Sequence, residues 1–196
     1  MKIVFTSNYS QHNIDVYNLS LDNHVTYCQK HGYDLSTYKE PYSPHLDVAR
    51  LRGFFQQGYD AIVNIGTDVI IQKMDIPITE YMTSAVGFMM CREITNGNSL
   101  NGDFIIMMKS EESDTILNVL NEKQKRYNSA QDCLNFNELP VHVSPYLQIA
   151  APNMNPNIDY SKFNLDDYFS KHYHSIGKAP VVMGKVNGMK ADLNQK

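Results

Sequence analysis

The residues with most to say about chemistry lie between Tyr59 and Asp75. Ala61 to Ile65 is a short apolar run, rich in β-branched residues and bounded by turn formers. That is the pattern of a strand buried on both faces of a parallel sheet. It runs into Gly66-Thr67-Asp68, which puts a small residue, a hydroxyl and one carboxylate at the strand's carboxyl end. A second β-rich run, Val69 to Ile71, follows at once. Ligands of open α/β sheets sit outside the carboxyl ends of strands. An acid held there between two apolar runs is placed to meet a metal ion or a ribose. The same acid also suits the closing position of a turn, and spacing alone leaves both roles open.

Such a strand needs neighbours, and the chain supplies them. Lys2 to Ser7 reads as a first parallel strand ending in the polar group Thr6-Ser7-Asn8-Tyr9. Ile14, Tyr17, Leu21, Val25 and Cys28 recur at helical spacing, with Gly32 as the stop. Tyr33 to Tyr38 is the second strand, giving a β-α-β opening. Leu46 to Gln57 forms a second helix, with Leu46, Ala49, Leu51 and Phe54 or Phe55 towards the core and Gly58 as terminator. Beyond the central strand, Ala85 to Cys91 reads as a buried strand, Asn96-Gly97-Asn98 as a turn and Leu100 to Met107 as another strand. Ser110 caps a helix from Glu111 to Arg126, acidic at its start and basic at its end as the helix dipole favours. Ser129 with Asp132 makes a capping-box-like start to a further helix. Val141 to Ser144 is an edge strand, Asn153 to Asp159 a loop, and Tyr160 to Phe169 a polar stretch dotted with aromatics.

Bulk properties narrow the class. At 196 residues the chain suffices for one domain with a proper core, and we expect a single domain over residues 1–196 with a flexible tail from 181. Hydrophobic content of 42% with 19% charged residues fits a soluble globular protein rather than a disordered one. A net charge of -4 argues against nucleic acid as a partner. No apolar run approaches the ~18–20 residues that span a bilayer, and from these residues we expect neither a membrane span nor a signal peptide. Cys28, Cys91 and Cys133 are odd in number and lack metal-type spacing, so they read as reduced thiols in a cytoplasmic protein.

The stretch from Tyr59 to Ile71 resembles the Asp-x-Asp strand of nucleotide-sugar glycosyltransferases with the GT-A fold. Within that fold the stretch resembles the glycogenin-like and bacterial lipopolysaccharide galactosyltransferases. The resemblance implies an α/β protein with a mostly parallel central sheet flanked by helices, acting on a nucleotide-diphosphate sugar with uridine the commoner base. Asp68 matches the second aspartate, which with its partner holds Mn2+ or Mg2+ against the donor diphosphate. Gly66 stands where the first aspartate is expected. The vacant ligand position then falls to water, or to Asn64, Thr67 or Asp103. Otherwise the protein works without metal, and Lys178 and Arg50 carry the charge.

The same resemblance assigns further residues. The end of the first strand carries the nucleotide, with Thr6 or Asn8 bonding the base and Tyr9 stacking on it; a plain helix N-cap by Ser7 or Asn8 is the alternative. Arg50 reaches the phosphates or ribose, unless it only makes surface pairs. Asn101 and Gly102 match a strand that lines the donor sugar. Asp103, where relatives have a small residue, bonds a sugar hydroxyl or caps a turn. Gln131, Asp132, Leu134 and Asn135 match a helix start that faces the sugar, although Ala130 replaces its leading aspartate. Gln131, Asp132 and Asp103 are therefore the candidates for catalytic work. His172 to Pro180 resembles a late His-x-x-Gly-x-x-Lys-Pro motif. There His174 completes the metal site, Gly177 and Lys178 meet the diphosphate, and the sugar's configuration is retained.

The expected activity is sugar transfer from such a donor to an acceptor that the residues do not name. Two other classes stand beside it. An inactive nucleotide-sugar-binding relative is suggested by Gly66 and Ala130, which remove two carboxylates. A nucleotidyltransferase wants a glycine-rich, basic loop after the first strand, and Thr6 to Asn13 has neither glycine nor lysine.

Overall fold

The structure, a computed structural model, describes residues 1–8, 14–40, 43–82, 86–92, 100–137, 139–144, 147–150 and 160–173. Its main sheet contains β1 (Ile3–Asn8), β2 (Asp34–Tyr38), β3 (Ala61–Ile65), β5 (Phe88–Arg92), β6 (Leu100–Met108) and β7 (His142–Val143), in the order β2-β1-β3-β6-β5-β7. A smaller sheet runs β4-β9-β8, from β4 (Val69–Ile71), β8 (Gln148–Ala150) and β9 (Ser170–His172). In the main sheet β1 pairs in parallel with β2 and β3, and β5 with β7, while β6 lies antiparallel to β3 and β5. The sheet is thus mixed and mostly parallel, as expected. Its parallel opening is built by α1 (Ile14–His31) between β1 and β2 and α2 (Val48–Gln56) between β2 and β3.

Alternation along the strands divides the core in two. Val4, Ile62, Ile105 and Met107 pack with Leu51 and Phe55 of α2, Ile116 and Leu120 of α3 (Glu111–Lys123), and Leu134 of α4 (Ala130–Phe136). Ile3, Phe5, Val63, Phe104 and Ile106 pack with Tyr27 and Cys28 of α1, with Val69 and Ile71 of β4, and with Phe169. The small sheet therefore shares the second core with α1. Cys28, Cys91 and Cys133 are buried, separate thiols.

The helix limits follow from their caps. Asp47 accepts from the Arg50 amide, so α2 begins at Val48 rather than Leu46. Its inward face is then Val48, Leu51, Phe54 and Phe55; Ala49, expected inside, is exposed. Ser110 and Ser129 cap α3 and α4 as the sequence indicates, but α3 gives way at Lys123 to a 3-10 turn over Gln124–Arg126. Gly32 and Gly58 end α1 and α2 with positive φ of 70° and 86°, where a side chain would be strained. In α1 the sequence reading needs correction. Over residues 18–31 the buried positions are Ser20, Asn23, His24, Tyr27 and Cys28, whereas Leu21 and Val25 are only half-buried; the side chains of Ile14 and Tyr17 lie outside the described ones. Residue 85, the turn at 96–98, the loop at 153–159 and the tail from 181 lie outside the described residues; 160–169 holds two 3-10 turns. No helix among the described residues is long and apolar enough to cross a membrane.

Candidate metal and donor site

Beyond Ile65 the β3–β6 ladder continues for one more bond, Gly66 N–H donating to the Asp103 carbonyl at 2.7 Å. Val69 N–H then donates back to the Gly66 carbonyl at 3.2 Å, closing a turn with Thr67 and Asp68 at its corner. Asp68 is a turn residue, and its carboxylate also joins a cluster.

Asp103 reaches that cluster because β6 is irregular. Met90 pairs with Ile105 but Cys91 pairs with Asn101, so residues 102–104 bulge relative to β5. Bulges re-aim side chains, and this one is braced on both sides. Asn101 Oδ1 accepts from Asp103 N–H at 2.8 Å, and Gln131 Oε1, reaching over from α4, accepts from Gly102 N–H at 2.9 Å. The third member is His172, opposite Val69 on β9 and only 2% exposed. Its Nε2 lies 3.1 Å from Asp103 Oδ2 and 3.6 Å from Asp68 Oδ2. Asn101 Nδ2 stands 3.5 Å from His172 Nδ1, too long to fix the ring's tautomer.

Gly66 acquires a reason in this setting. A Cβ added there would meet Asp68 Oδ1 at 3.0 Å, Asp103 Cβ at 3.2 Å and Asp103 Oδ1 at 3.3 Å. The space beside position 66 is filled by the carboxylate of the cross-strand neighbour. Where the sequence shows one aspartate missing from the strand, the structure brings another in from the next strand.

One ligand atom each from Asp68, Asp103 and His172 lies within 4.8 Å of the others. Carboxylate oxygens with one imidazole nitrogen suit Mg2+ or Mn2+. Neighbouring ligands of an octahedral ion with bonds of about 2.1 Å are about 3 Å apart, so the 3.1 Å separation fits and the 3.6 Å one needs only a small adjustment. The two carboxylates are partly exposed, which leaves room for ligands from solvent or substrate. The donor set fits a divalent cation.

The other sequence candidates divide into three groups. Gln131 and Asn101 support the cluster by accepting from the consecutive amides of Gly102 and Asp103. Asp132 follows on α4, its amide bound to the Ser129 hydroxyl. Thr6, Asn8 and Arg50 stand at the carboxyl ends of β1 and β2. Thr6 is buried beside Asn64, and Ser7 Oγ donates to the Ile65 carbonyl at 2.6 Å, tying β1 to the strand that leads to Gly66. Asn8 Oδ1 accepts from Glu40 N–H, and Arg50 lies 3.7 Å over the Tyr38 ring with Glu40 and Asp47 at its guanidinium. Tyr9, His174, Gly177 and Lys178 lie outside the described residues.

His172 was not singled out in the sequence. The motif spacing pointed two residues further, and only the β4–β9 register, Val69 to His172, brings it opposite the Asp68 turn. In the structure His172 shares a strand face with Ser170, and both are buried.

No family model matches the chain, and no curated protein matches it. Solved structures do. A glycosyltransferase involved in glycosylation of the major capsid of PBCV-1 aligns over 97% of this chain and 100% of its own, with a TM-score of 0.67 and 16% identity. The galactosyltransferase LgtC, solved with donor and acceptor sugar analogs, covers 99% of this chain and 96% of its own at a TM-score of 0.57 and 10% identity. The glycosyltransferase GlyE of Streptococcus pneumoniae TIGR4 aligns with the whole chain at a TM-score of 0.56 and 14% identity, the match spanning 63% of GlyE. The chain has the GT-A fold of glycosyltransferases.

Proposed function

We propose that the protein is a glycosyltransferase that takes a sugar from a nucleotide-diphosphate donor, a uridine diphosphate sugar foremost, and passes it to an acceptor hydroxyl. One observation carries the reading: Asp103 enters the space beside Gly66 and completes, with Asp68 and His172, a cluster suited to a divalent cation at the end of the central strands. Mn2+ or Mg2+ bound there supplies Lewis-acid stabilisation of the departing diphosphate. The chain's own residues do the rest. Asp68, Asp103 and His172 hold the cation and orient the phosphates. Gln131 and Asn101 fix the bulge that carries Asp103. Asp132 faces the sugar. Thr6, Asn8 and Tyr9 receive the base, Arg50 the ribose or phosphates, and Gly177 and Lys178 the diphosphate, with His174 a further ligand. Retention of configuration and a cytoplasmic setting, suited to three buried thiols, belong to the same proposal.

The test is turnover of a panel of nucleotide-diphosphate sugars, with hydrolysis standing in for transfer, in Mn2+, Mg2+ or chelator. Metal-dependent release of one nucleotide diphosphate is expected, lowered about 100-fold in Asp68→Asn. Turnover that ignores both the chelator and that substitution would defeat the cation site, and no turnover with any donor would defeat the enzyme.

A further inference from the structure

Beside the small Ser20, the inward face of α1 carries two larger polar side chains where a helix facing a core ordinarily presents apolar ones: Asn23 is 5% exposed and His24 is 0% exposed. Both are directed at β4. Along this strand the backbone groups alternate. Those of residues 68, 70 and 72 meet β9 and its extensions: Asp68 C=O accepts from Tyr173 N–H at 2.8 Å, Ile70 pairs with Lys171, and Gln72 N–H donates to the Phe169 carbonyl at 2.9 Å. Those of residues 69 and 71 face the other way, and among the described residues no strand lies there. His24 Nε2 is 2.8 Å from the Val69 carbonyl, and because a carbonyl only accepts, Nε2 carries the hydrogen. Asn23 Oδ1 accepts from Ile71 N–H at 2.8 Å while its Nδ2 donates to the Ile71 carbonyl at 3.1 Å. Two consecutive helix residues thus supply the hydrogen bonds a neighbouring strand would supply, and a buried edge is satisfied.

The location gives this clamp a role in the site. Asp68 immediately precedes β4, and His172 is paired with Val69. Asp103 belongs to the other sheet. The distance between His172 and Asp103 therefore depends on how the β4–β9 pair is seated against the main sheet. α1 is the element bonded to β4 and packed by Tyr27 on Phe5 of β1. We propose that Asn23 and His24 are positioning residues: as a surrogate strand they seat β4 and β9, and so set the spacing of Asp68 and His172 to Asp103. This rests on the cation site proposed above.

Three variants of the full chain test it. His24→Met removes the donor at similar bulk, His24→Gln restores an N–H near the Nε2 position, and Asn23→Asp keeps the acceptor for Ile71 N–H but loses the donor to its carbonyl. Two quantities are read: amide hydrogen exchange, and Mn2+ affinity by titration followed by electron paramagnetic resonance. In His24→Met the Tyr173 and Gln72 amides should exchange about ten-fold faster or more, with Ile62 and Val63 of β3 unchanged. Mn2+ affinity should fall about ten-fold, as for other groups that support metal ligands. His24→Gln should recover both, and Asn23→Asp should show the same pattern more weakly, which keeps the test in hand if His24→Met does not fold. Unchanged exchange at Tyr173 and Gln72, equal acceleration at Ile62 and Val63, or unchanged Mn2+ affinity would overturn the inference. If the wild type takes up no Mn2+, the cation site fails, and the exchange pattern alone decides the clamp.

Discussion

Lowering the pH should weaken this fold through His24 by an amount that can be worked from its surroundings. The ring is fully buried and donates to the Val69 carbonyl. Burial penalises its charged form and lowers its pKa from 6.5 to about 4, against a smaller opposing effect of the Val69 hydrogen bond. In the unfolded chain the same ring titrates normally. Between these two values the unfolded state binds a proton that the folded state does not, so stability is fully present above about 6.5 and is lost as the pH falls towards about 4. The slope is about 1.4 kcal/mol per pH unit, which gives a loss of about 2 kcal/mol by pH 5 and about 3 kcal/mol by pH 4. Against a typical total of about 5–15 kcal/mol that is a large fraction. The assay is urea unfolding of wild type and His24→Gln at pH 7.5 and pH 5. Other titrating groups act in both proteins and cancel in the difference. The wild type should lose about 2 kcal/mol more than the variant on acidification. Equal losses would show that His24 is not held as a buried neutral ring, and the argument from its burial would fall.

Two further predictions concern the site and the core. Gly66→Ala should weaken Mn2+ binding about ten-fold, because its methyl displaces both carboxylates; Gly66→Asp combined with Asp103→Gly should bind within a few-fold of wild type, since the second carboxylate returns by the other strand. Calorimetric titration decides it: a double variant no better than Asp103→Gly alone would refute the exchange of position. Leu117→Ala, truncating a fully buried side chain between α3 and the main sheet, should lower unfolding free energy by about 2–5 kcal/mol in urea, while a loss under about 1 kcal/mol would contradict the packing of that cluster.

What the sequence disclosed was what local periodicity encodes. The Ala61–Ile65 strand, the serine caps at 110 and 129, and the glycine stops at 32 and 58 are each determined within a few residues, and each stands where it was expected. The inward face of α1 was not legible in the same way. A helix buries asparagine and histidine only when something outside it needs hydrogen bonds, and here the need arises at an edge strand whose opposite side is filled by β9, about a hundred residues further on. The cation cluster has the same character. Asp103 was readable as a polar residue in a strand, but its place beside Gly66 depends on an antiparallel β3–β6 pairing and on a bulge, neither of which has a local signature. This bears directly on the reading of the chain as an inactive relative. That reading drew on carboxylates missing from motifs, whereas a cation responds to where an oxygen is in space and not to which strand carries it. At Gly66 the absence in the motif and the carboxylate from Asp103 are two sides of one packing arrangement, since a side chain at 66 would meet the carboxylates of Asp68 and Asp103. Gly66 therefore does not by itself argue against a cation site, and Ala130 remains the residue that favours the inactive reading.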